Sequence, residues 1–372
     1  MAREFPAKSD AEEEIVSICM NEFGGLGNFH IHGDRAYTAK DRYYKGTGKS
    51  VEELQRATLQ EKQNLTWILH KGRAFEPDCI EERVRRLIED SIRFGVTKLY
   101  TTVDVTYNTK LKSLEIVEKL KKEYKDRIEI KIGAYNPSGF KVRNLRDERS
   151  SAEERFELFE EAAKRADFLV ALAEKDDKRG HIGRHQHNVY IASLSYKLGK
   201  PAQYHVGQAN SPNDKSVQEW LEDLAFVQDE VYKEAPDKFP KQIAVHAISP
   251  SCLSPEEFEK LAEEMVERNV GLIVCPRAAL SMLQHHNEKS YTHNSIAKAL
   301  HFAVKGIHIQ LGIDNLNDIY VTNSSADPYD ELEYFSNSLR IYPKRILAKI
   351  LAGERLDPFD ISTIQDIIKE YV

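Results

Sequence analysis

The repeating unit that decides the fold is clearest in residues 98–134, which read KLYTTVDVTYNTKLKSLEIVEKLKKEYKDRIEIKIGA. A run rich in β-branched residues, 98–103, is followed by a loop and then by residues 111–124. In that second segment apolar residues recur every three or four positions, with charged residues between them. A second β-branched run starts at 128. The pattern predicts a strand, an amphipathic helix and a further strand, which is the unit of a parallel sheet.

The same unit recurs along the whole chain. The strand-like runs are Leu26–His32, Lys98–Val103, Ile128–Ala134, Asp167–Leu172, Ala202–Val206, Ile243–His246, Gly271–Cys275 and Ile307–Gly312. Helical patterns lie between them, as at 152–165 and at 255–268, where Ser254 before Pro255 is a typical helix start. Eight alternations in 372 residues predict an α/β fold, a closed (β/α)8 TIM-type barrel. An open doubly wound sheet is the alternative if two of the runs are misassigned.

The ends of the chain suggest helical additions to the barrel. We assign residues 1–25 to an N-terminal helical extension, 26–350 to the barrel and 351–372 to a C-terminal helical tail. Only 25 residues precede the first run, and the segment after Asp314 is rich in helical pattern, so we expect little or no flanking β-sandwich. The gap at 33–97 is about twice the later ones and is predicted to hold a long loop and two helices over the barrel mouth.

The composition argues against nucleic acid and membranes as binding partners. The net charge is −7, which gives no electrostatic reason to expect nucleic acid. No run approaches the roughly 20 apolar residues of a membrane helix, and the start, MAREFPAKSDAEEE, is too polar and acidic for a signal peptide. Four widely spaced cysteines form no CxxC motif and indicate a reducing, cytoplasmic compartment. We expect a small-molecule substrate, no nucleic acid and no membrane partner, and we leave a homo-oligomer open.

Polar side chains end four of the runs, where a (β/α)8 barrel carries its chemistry. They are His30 and His32, His205, His246 and, after the last run, Asp314. The strand period of two places His30 and His32 on one face. A single histidine in a strand is more often structural, but five such residues on four strand ends favour a site for Zn²⁺ or Fe²⁺.

This H-x-H, H, H, D order resembles the amidohydrolase superfamily of metal-dependent hydrolases, especially its cytosine-deaminase-like members, over roughly residues 26–350. Cys275-Pro276 adds a similarity to adenosine-deaminase-type barrels. The resemblance implies that one divalent metal, Zn²⁺ or Fe²⁺, is bound by His30, His32, His205 and Asp314. It further implies that His246 orients or polarises the attacking water and that Asp314 serves as its general base.

The sequence departs from the deaminase pattern at Gln208, where both deaminase types carry a glutamate that shuttles protons. Glutamine forms hydrogen bonds but carries no proton at neutral pH. Either Asp314 alone moves the proton, or another residue replaces the glutamate, or turnover is impaired. Pro137, beside Asn136, stands where cytosine enzymes carry a glutamine, and Asn315 replaces a second aspartate, so we expect a substrate other than cytosine.

Other charged residues are candidates for recognition. Substrate-binding residues are predicted at Gln208, Asn136, Arg277 and Asn315. Glu174 or Lys175, after the fourth run, is the candidate bridge to a second metal, with a solvated loop charge as the alternative. His181 and 184–187, together with Arg277 and His285-His286, are read either as a cationic rim for an acidic or phosphate-bearing substrate or as solvated loop residues.

The leading hypothesis is a metal-dependent hydrolase of deaminase or amidohydrolase type. It would cleave a C–N bond of a small nitrogen-rich heterocyclic compound through a metal-activated water. The alternatives are a binuclear cyclic amidase or lactonase, and a metal-binding barrel whose turnover is impaired because Gln208 replaces the usual glutamate.

Overall fold

The computed structural model describes residues 3–142, 149–209, 211–234, 238–281 and 296–370. Its strands form one eight-stranded parallel sheet in which each strand pairs with the next along the chain. The strands are β1 (Leu26–His32), β2 (Val96–Asp104), β3 (Glu129–Tyr135), β4 (Phe168–Ala171), β5 (Ala202–Val206), β6 (Gln242–His246), β7 (Val270–Val274) and β8 (Ile309–Leu311). Each predicted run overlaps one strand, so the (β/α)8 barrel is confirmed and the open sheet is excluded.

The sheet closes between β1 and the residues that follow β8. The amide of Asp314 donates to the His30 carbonyl over 2.8 Å, and the amide of His32 donates to the Asp314 carbonyl over 2.8 Å. Gly312 permits this approach, because a Cβ there would lie 2.8 Å from the Cβ of His30. Closure therefore brings together the strand ends that carry the predicted ligands.

The helices surround the barrel. They are α1 (Asp10–Glu22), α2 (Asp41–Tyr44), α3 (Val51–Gln55), α4 (Leu59–Lys71), α5 (Pro77–Arg93), α6 (Lys112–Glu123), α7 (Arg149–Arg165), α8 (Arg184–Leu198), α9 (Ser216–Phe226), α10 (Pro255–Glu267), α11 (Pro276–Ser281), α12 (Ala299–Val304), α13 (Pro328–Leu339), α14 (Lys344–Ala352) and α15 (Pro358–Glu370). The predicted helix start at Ser254 is confirmed, since its hydroxyl accepts from the amide of Glu257 in a capping box. In the described part of the chain no helix combines the length and apolar character needed to cross a membrane.

The segment between β1 and β2 holds four helices, α2 to α5, rather than the two predicted. The helices α2 and α3 span only four and five residues, too few for a periodic apolar pattern to show. Leu59, Gln63 and Thr66, at positions i, i+4 and i+7 of α4, line the pocket at the barrel mouth. The helix α4 thus forms one wall of that pocket.

Candidate active site

Four buried side chains converge at the carboxyl end of the barrel. Nitrogen atoms of His30, His32 and His205 and a carboxylate oxygen of Asp314 all lie within 4.8 Å of one another. His32 Nε2 is 3.2 Å and His30 Nε2 is 3.6 Å from Asp314 Oδ1, and His205 Nε2 is 3.1 Å from His30 Nε2. Ligand bonds of roughly 2.0–2.2 Å in a tetrahedral site would separate ligand atoms by about 3.3 Å. The spacing therefore fits four ligands of one divalent metal.

Hydrogen bonds at the far side of two imidazoles fix their tautomers. His30 Nδ1 donates to Gln203 Oε1 over 2.7 Å, and His205 Nδ1 donates to the Ala171 carbonyl over 3.1 Å. The amide of Gln203 is itself oriented, because its Nε2 donates to the Phe29 carbonyl. With Nδ1 protonated, each ring presents the Nε2 lone pair to the centre of the cluster, as metal binding requires. Sequence reasoning missed Gln203, although its place two residues before His205 on β5 puts both on one strand face.

Burial sets the charge of the cluster. It lowers the pKa of His32 to about 4, and burial together with the neighbouring imidazoles lowers the pKa of His205 well below its usual value. Burial alone would raise the pKa of Asp314, but the adjacent imidazoles of His30, His32 and His246 hold it well below the ordinary range. Neutral imidazoles beside a carboxylate are the protonation states that bind a divalent cation.

His246 faces the same carboxylate. Its Nε2 lies 3.7 Å from Asp314 Oδ2, and neither ring nitrogen has a hydrogen-bond partner among the described residues although both are buried. An unsatisfied buried polar atom costs roughly 1–3 kcal/mol, so the position favours a ligand or water as partner. His246 and Asp314 also have positive backbone φ angles of 77° and 62°. Such strain in non-glycine residues is typical of functional sites.

A small pocket opens above the cluster. It is lined by His32, Arg35, Leu59, Gln63, Thr66, Tyr135, Pro137, Leu172, Lys175, His205, Gln208, His246, Asp314, Asn315 and Tyr320. Three of the four cluster residues, His32, His205 and Asp314, belong to this lining, so a compound in the pocket would lie against the cluster.

Gln208 lies in this pocket with a fixed orientation. Its Nε2 donates to Glu174 Oε1 over 2.7 Å, and Gln63 Nε2 donates to the same oxygen over 2.9 Å. A carboxylate accepts only from the amide nitrogen, so the Gln208 carbonyl oxygen is left as an acceptor. It has no partner among the described residues.

The two predicted asparagines are placed differently. Asn315 lines the pocket, with its Nδ2 donating to Asp318 Oδ2 over 2.7 Å. Asn136 is buried in a turn, where its Oδ1 accepts from the amide of Ser138 and its Nδ2 donates to the Gly139 carbonyl. The neighbouring Pro137 reaches the pocket instead. Asn136 therefore stabilises the turn and is not among the residues that line the pocket, and its contact with a substrate stays a prediction.

Arg277 does not line the pocket. Its guanidinium donates to Glu331, to Asp330 Oδ2 at 3.0 Å and to the Ser325 carbonyl at 3.1 Å, all on or beside α13. Its hydrogen-bonding groups are directed at protein partners, so Arg277 forms a buried ion pair in this structure, and the anion contact stays a prediction.

The predicted histidine rim is likewise structural where it is described. His181 Nδ1 and His187 Nδ1 each lie 2.7 Å from a carboxylate oxygen of Asp176, and His185 pairs with Asp223. His285 and His286 lie outside the described residues. The cations that do line the pocket are Arg35 and Lys175, which the sequence had not assigned to that role.

Glu174 and Lys175 do not join the metal cluster. Glu174 accepts from Gln63 and Gln208, and Lys175 donates to Gln63. Within the described ranges one group of potential ligands is found, the four residues named above. This arrangement favours a single metal.

Solved structures share this fold. A 5-methylcytosine deaminase from Klebsiella pneumoniae, liganded with 5-fluorocytosine, aligns with a TM-score of 0.71 at 17% identity, over 89% of this chain and 74% of that one. An N-isopropylammelide isopropylaminohydrolase from Burkholderia multivorans aligns with a TM-score of 0.62 at 17% identity, over 92% and 74%. The N6-methyl-AMP deaminase from Arabidopsis thaliana aligns with a TM-score of 0.55 at 15% identity, over 96% and 98%.

The TM-scores establish a common fold, in agreement with the resemblance inferred from the strand ends. No protein-family model matches the sequence, and a search of curated proteins finds no significant match.

Proposed function

We propose that the protein is a mononuclear metal-dependent hydrolase that cleaves a C–N bond of a small, nitrogen-rich heterocycle. The observation that carries the proposal is the convergence of His30, His32, His205 and Asp314 within 4.8 Å at the base of a pocket. His246, with two unpartnered ring nitrogens, completes the set. When bound, a divalent metal would supply the electrophile that makes water a competent nucleophile near neutral pH.

Asp314 and His246 would carry out proton transfer and stabilise the developing charge. Asp314 is ionised and buried, so one of its oxygens can accept the proton of the attacking water while the other faces His30 and His32. His246 lies beside Asp314 Oδ2 and is placed to hydrogen-bond the water or the oxygen that develops negative charge. The proton taken by Asp314 is then delivered to the leaving nitrogen.

Gln208 acts in this scheme by orientation. Its carbonyl oxygen accepts an N–H of the substrate ring or amino group, because Glu174 holds the amide nitrogen on the other side. An N–H acceptor at this position favours substrates with a ring or exocyclic N–H. Gln208 carries no proton, so Asp314 remains the shuttle.

Proteins of the same fold act on substrates of this class. Two of the similar structures are a 5-methylcytosine deaminase and an aminohydrolase of N-isopropylammelide. The single group of potential ligands in the described residues disfavours the binuclear amidase or lactonase. The hypothesis of a metal-binding barrel with impaired turnover depends on Gln208 alone. An activity measurement distinguishes it from the proposed function.

A cytoplasmic, reducing location is also proposed. It is supported by the four cysteines, Cys19, Cys79, Cys252 and Cys275, which are all unpaired.

The experiment is a screen of the metal-reconstituted protein for ammonia or amine release. The panel contains aminopyrimidines, aminotriazines, aminopurines and cyclic ureides. Activity on at least one amino compound, lost in Asp314→Asn, supports the proposal. Activity confined to cyclic ureides would move the protein to the amidase class, and metal binding without any turnover would favour the impaired barrel.

A further inference from the structure

We propose that Lys175 and Arg35 form an anion-binding subsite in the pocket, and that the substrate carries a carboxylate that binds there. The inference deepens the proposed function and rests on it only for the identity of the reaction. It assigns substrate selection to two residues that lie outside the metal cluster.

Lys175 is a buried cation without an anionic partner. It is 8% exposed, it lines the pocket, and its ammonium donates to the neutral carbonyl of Gln63. Within the described residues it makes no ion pair. Lysines are almost never buried to this extent unless a negative charge accompanies them. Burial accordingly lowers its pKa to about 8.

The neighbouring residue Glu174 carries a carboxylate that is held by two amides. Glu174 attracts Lys175 electrostatically, but its Oε1 accepts from the amides of Gln63 and Gln208. Gln63 therefore lies between the two charges and bonds to both, its carbonyl to Lys175 and its nitrogen to Glu174. The ammonium keeps donor capacity that no residue of the described chain uses.

Arg35 presents a second set of donors to the same pocket. Its Nε and Nη2 bind the two oxygens of Asp104, each over 2.7 Å, and its guanidinium lies 5.3 Å from the centre of the Tyr135 ring. The bidentate pair fixes the plane of the group and leaves Nη1 without a partner among the described residues. A planar guanidinium held in this way is preorganised for a carboxylate.

The two cations also repel each other. Both side chains line one pocket, and Arg35 is among the charges that lower the pKa of Lys175. An anion bound to both would relieve this repulsion and supply the missing countercharge of Lys175. A neutral ligand would do neither.

The turn that carries Lys175 is anchored on both sides. Asp176 accepts from His181 and His187, at 2.7 Å each, and from the amide of Phe140 at 2.8 Å. Glu174 is held by Gln63 and Gln208. The side chain between them projects into the pocket from a fixed backbone, so its position does not depend on the mobility of a loop. The histidines predicted to form a rim act here as positioning residues for that turn.

The test uses calorimetric binding to the full chain, with and without Zn²⁺. The ligands are pairs of single-ring heterocycles that differ only by a carboxylate, such as uracil and orotate or 2-aminopyrimidine and its 5-carboxylate, with inorganic phosphate as a simple anion. We expect at least one carboxylate member to bind tenfold or more tightly than its parent. Equal affinities throughout, or no binding of any carboxylate or of phosphate, would overturn the subsite.

Variants assign the effect to Lys175. Lys175→Met should abolish the preference while leaving the affinity for the neutral parent within twofold, and Lys175→Arg should keep part of it. Lys125→Met is the matched control, because Lys125 is exposed between α6 and β3, at the end of the barrel opposite the pocket, and should change nothing. A preference that survives in Lys175→Met rejects the assignment.

The outcomes separate this inference from the proposed function. A carboxylate preference without any C–N hydrolysis would leave the subsite standing and remove the reaction. Hydrolysis of neutral amino heterocycles with no carboxylate preference would support the reaction and reject the subsite. If Lys175→Met instead lowers kcat on a neutral substrate and removes one limb of its pH profile, Lys175 is a proton carrier and the anion subsite is rejected.

Discussion

Gln208 Nε2 donates a hydrogen bond to Glu174 Oε1 over 2.7 Å, and this contact joins the residue after β5 to the turn after β4. The deaminase pattern has a glutamate at the position of Gln208. A glutamate at position 208 would place its carboxylate against that of Glu174, and the two charges would repel each other. Glutamine at this position avoids the repulsion and donates a hydrogen bond to Glu174.

Exchange of the two groups tests this pairing. Gln208→Glu should destabilise the protein at pH 8 by about 1.5–3 kcal/mol, since it removes a charged hydrogen bond and adds like-charge repulsion. The loss should shrink as the pH falls, because the new carboxyl group can then keep its proton and donate to Glu174. The double variant Glu174→Gln with Gln208→Glu should recover most of the stability. Urea unfolding at pH 5 and pH 8 measures all three, and a double variant as unstable as the single one would refute the pairing.

Gln203 is predicted to support metal binding through His30. Gln203→Leu removes the acceptor of His30 Nδ1, so the ring loses its fixed tautomer and metal affinity should fall roughly 10–100-fold. Competition with a chelator of known affinity measures the change, and circular dichroism checks that the fold is kept. Unaltered zinc affinity would mean that the hydrogen bond has no influence on the ligand.

Lys175 predicts a specific dependence of stability on pH. The ordinary pKa of a lysine is 10.5, and in the folded chain the pKa of Lys175 is about 8. Burial and the charges of Lys178 and Arg35 lower it, whereas the charge of Glu174 opposes the shift. Between pH 8 and pH 10.5 the Lys175 ammonium is deprotonated in the folded chain and still protonated in the unfolded chain. The free energy of unfolding therefore rises with pH across this range. Lys175→Met should therefore stabilise the ligand-free protein at pH 7 by up to about 3 kcal/mol, and the gain should fade toward pH 10.5. Thermal unfolding from pH 7 to 10.5 follows the difference, and a destabilised variant at pH 7 would contradict the uncompensated charge.

His187 is predicted to position Lys175 from a distance. His187→Phe removes one of the hydrogen bonds to Asp176 and should cost about 1.5–3 kcal/mol, the range for a bond to a charged group. If the turn then shifts, carboxylate binding should weaken while the affinity for the metal stays within twofold. His185→Phe is the control, because His185 pairs with Asp223 rather than Asp176. A purely structural role would lower stability without changing the carboxylate preference.

The periodic features of this protein were predictable from its sequence. The eight runs and the residues at their ends fix the barrel and its cluster, because strand period and strand order alone decide which side chains meet at the mouth. His30, His32, His205, His246 and Asp314 follow from that rule.

Pairings between distant loops were not predictable. Arg277 was assigned to the pocket because it follows β7, but Glu331, 54 residues away on α13, takes its guanidinium. Arg35 and Lys175 reach the pocket because Asp104, Gln63 and the anchored turn direct them there. Such contacts depend on loop geometry that no local pattern encodes.

The central claim is that one divalent metal is held by His30, His32, His205 and Asp314. Elemental analysis of the full chain after reconstitution with Zn²⁺ or Fe²⁺, followed by removal of unbound metal, tests it most directly. We predict one ion per chain in the wild-type protein and none in the folded double variant His30→Ala with His32→Ala. Two ions per chain, or a double variant that keeps its metal, would contradict the assignment.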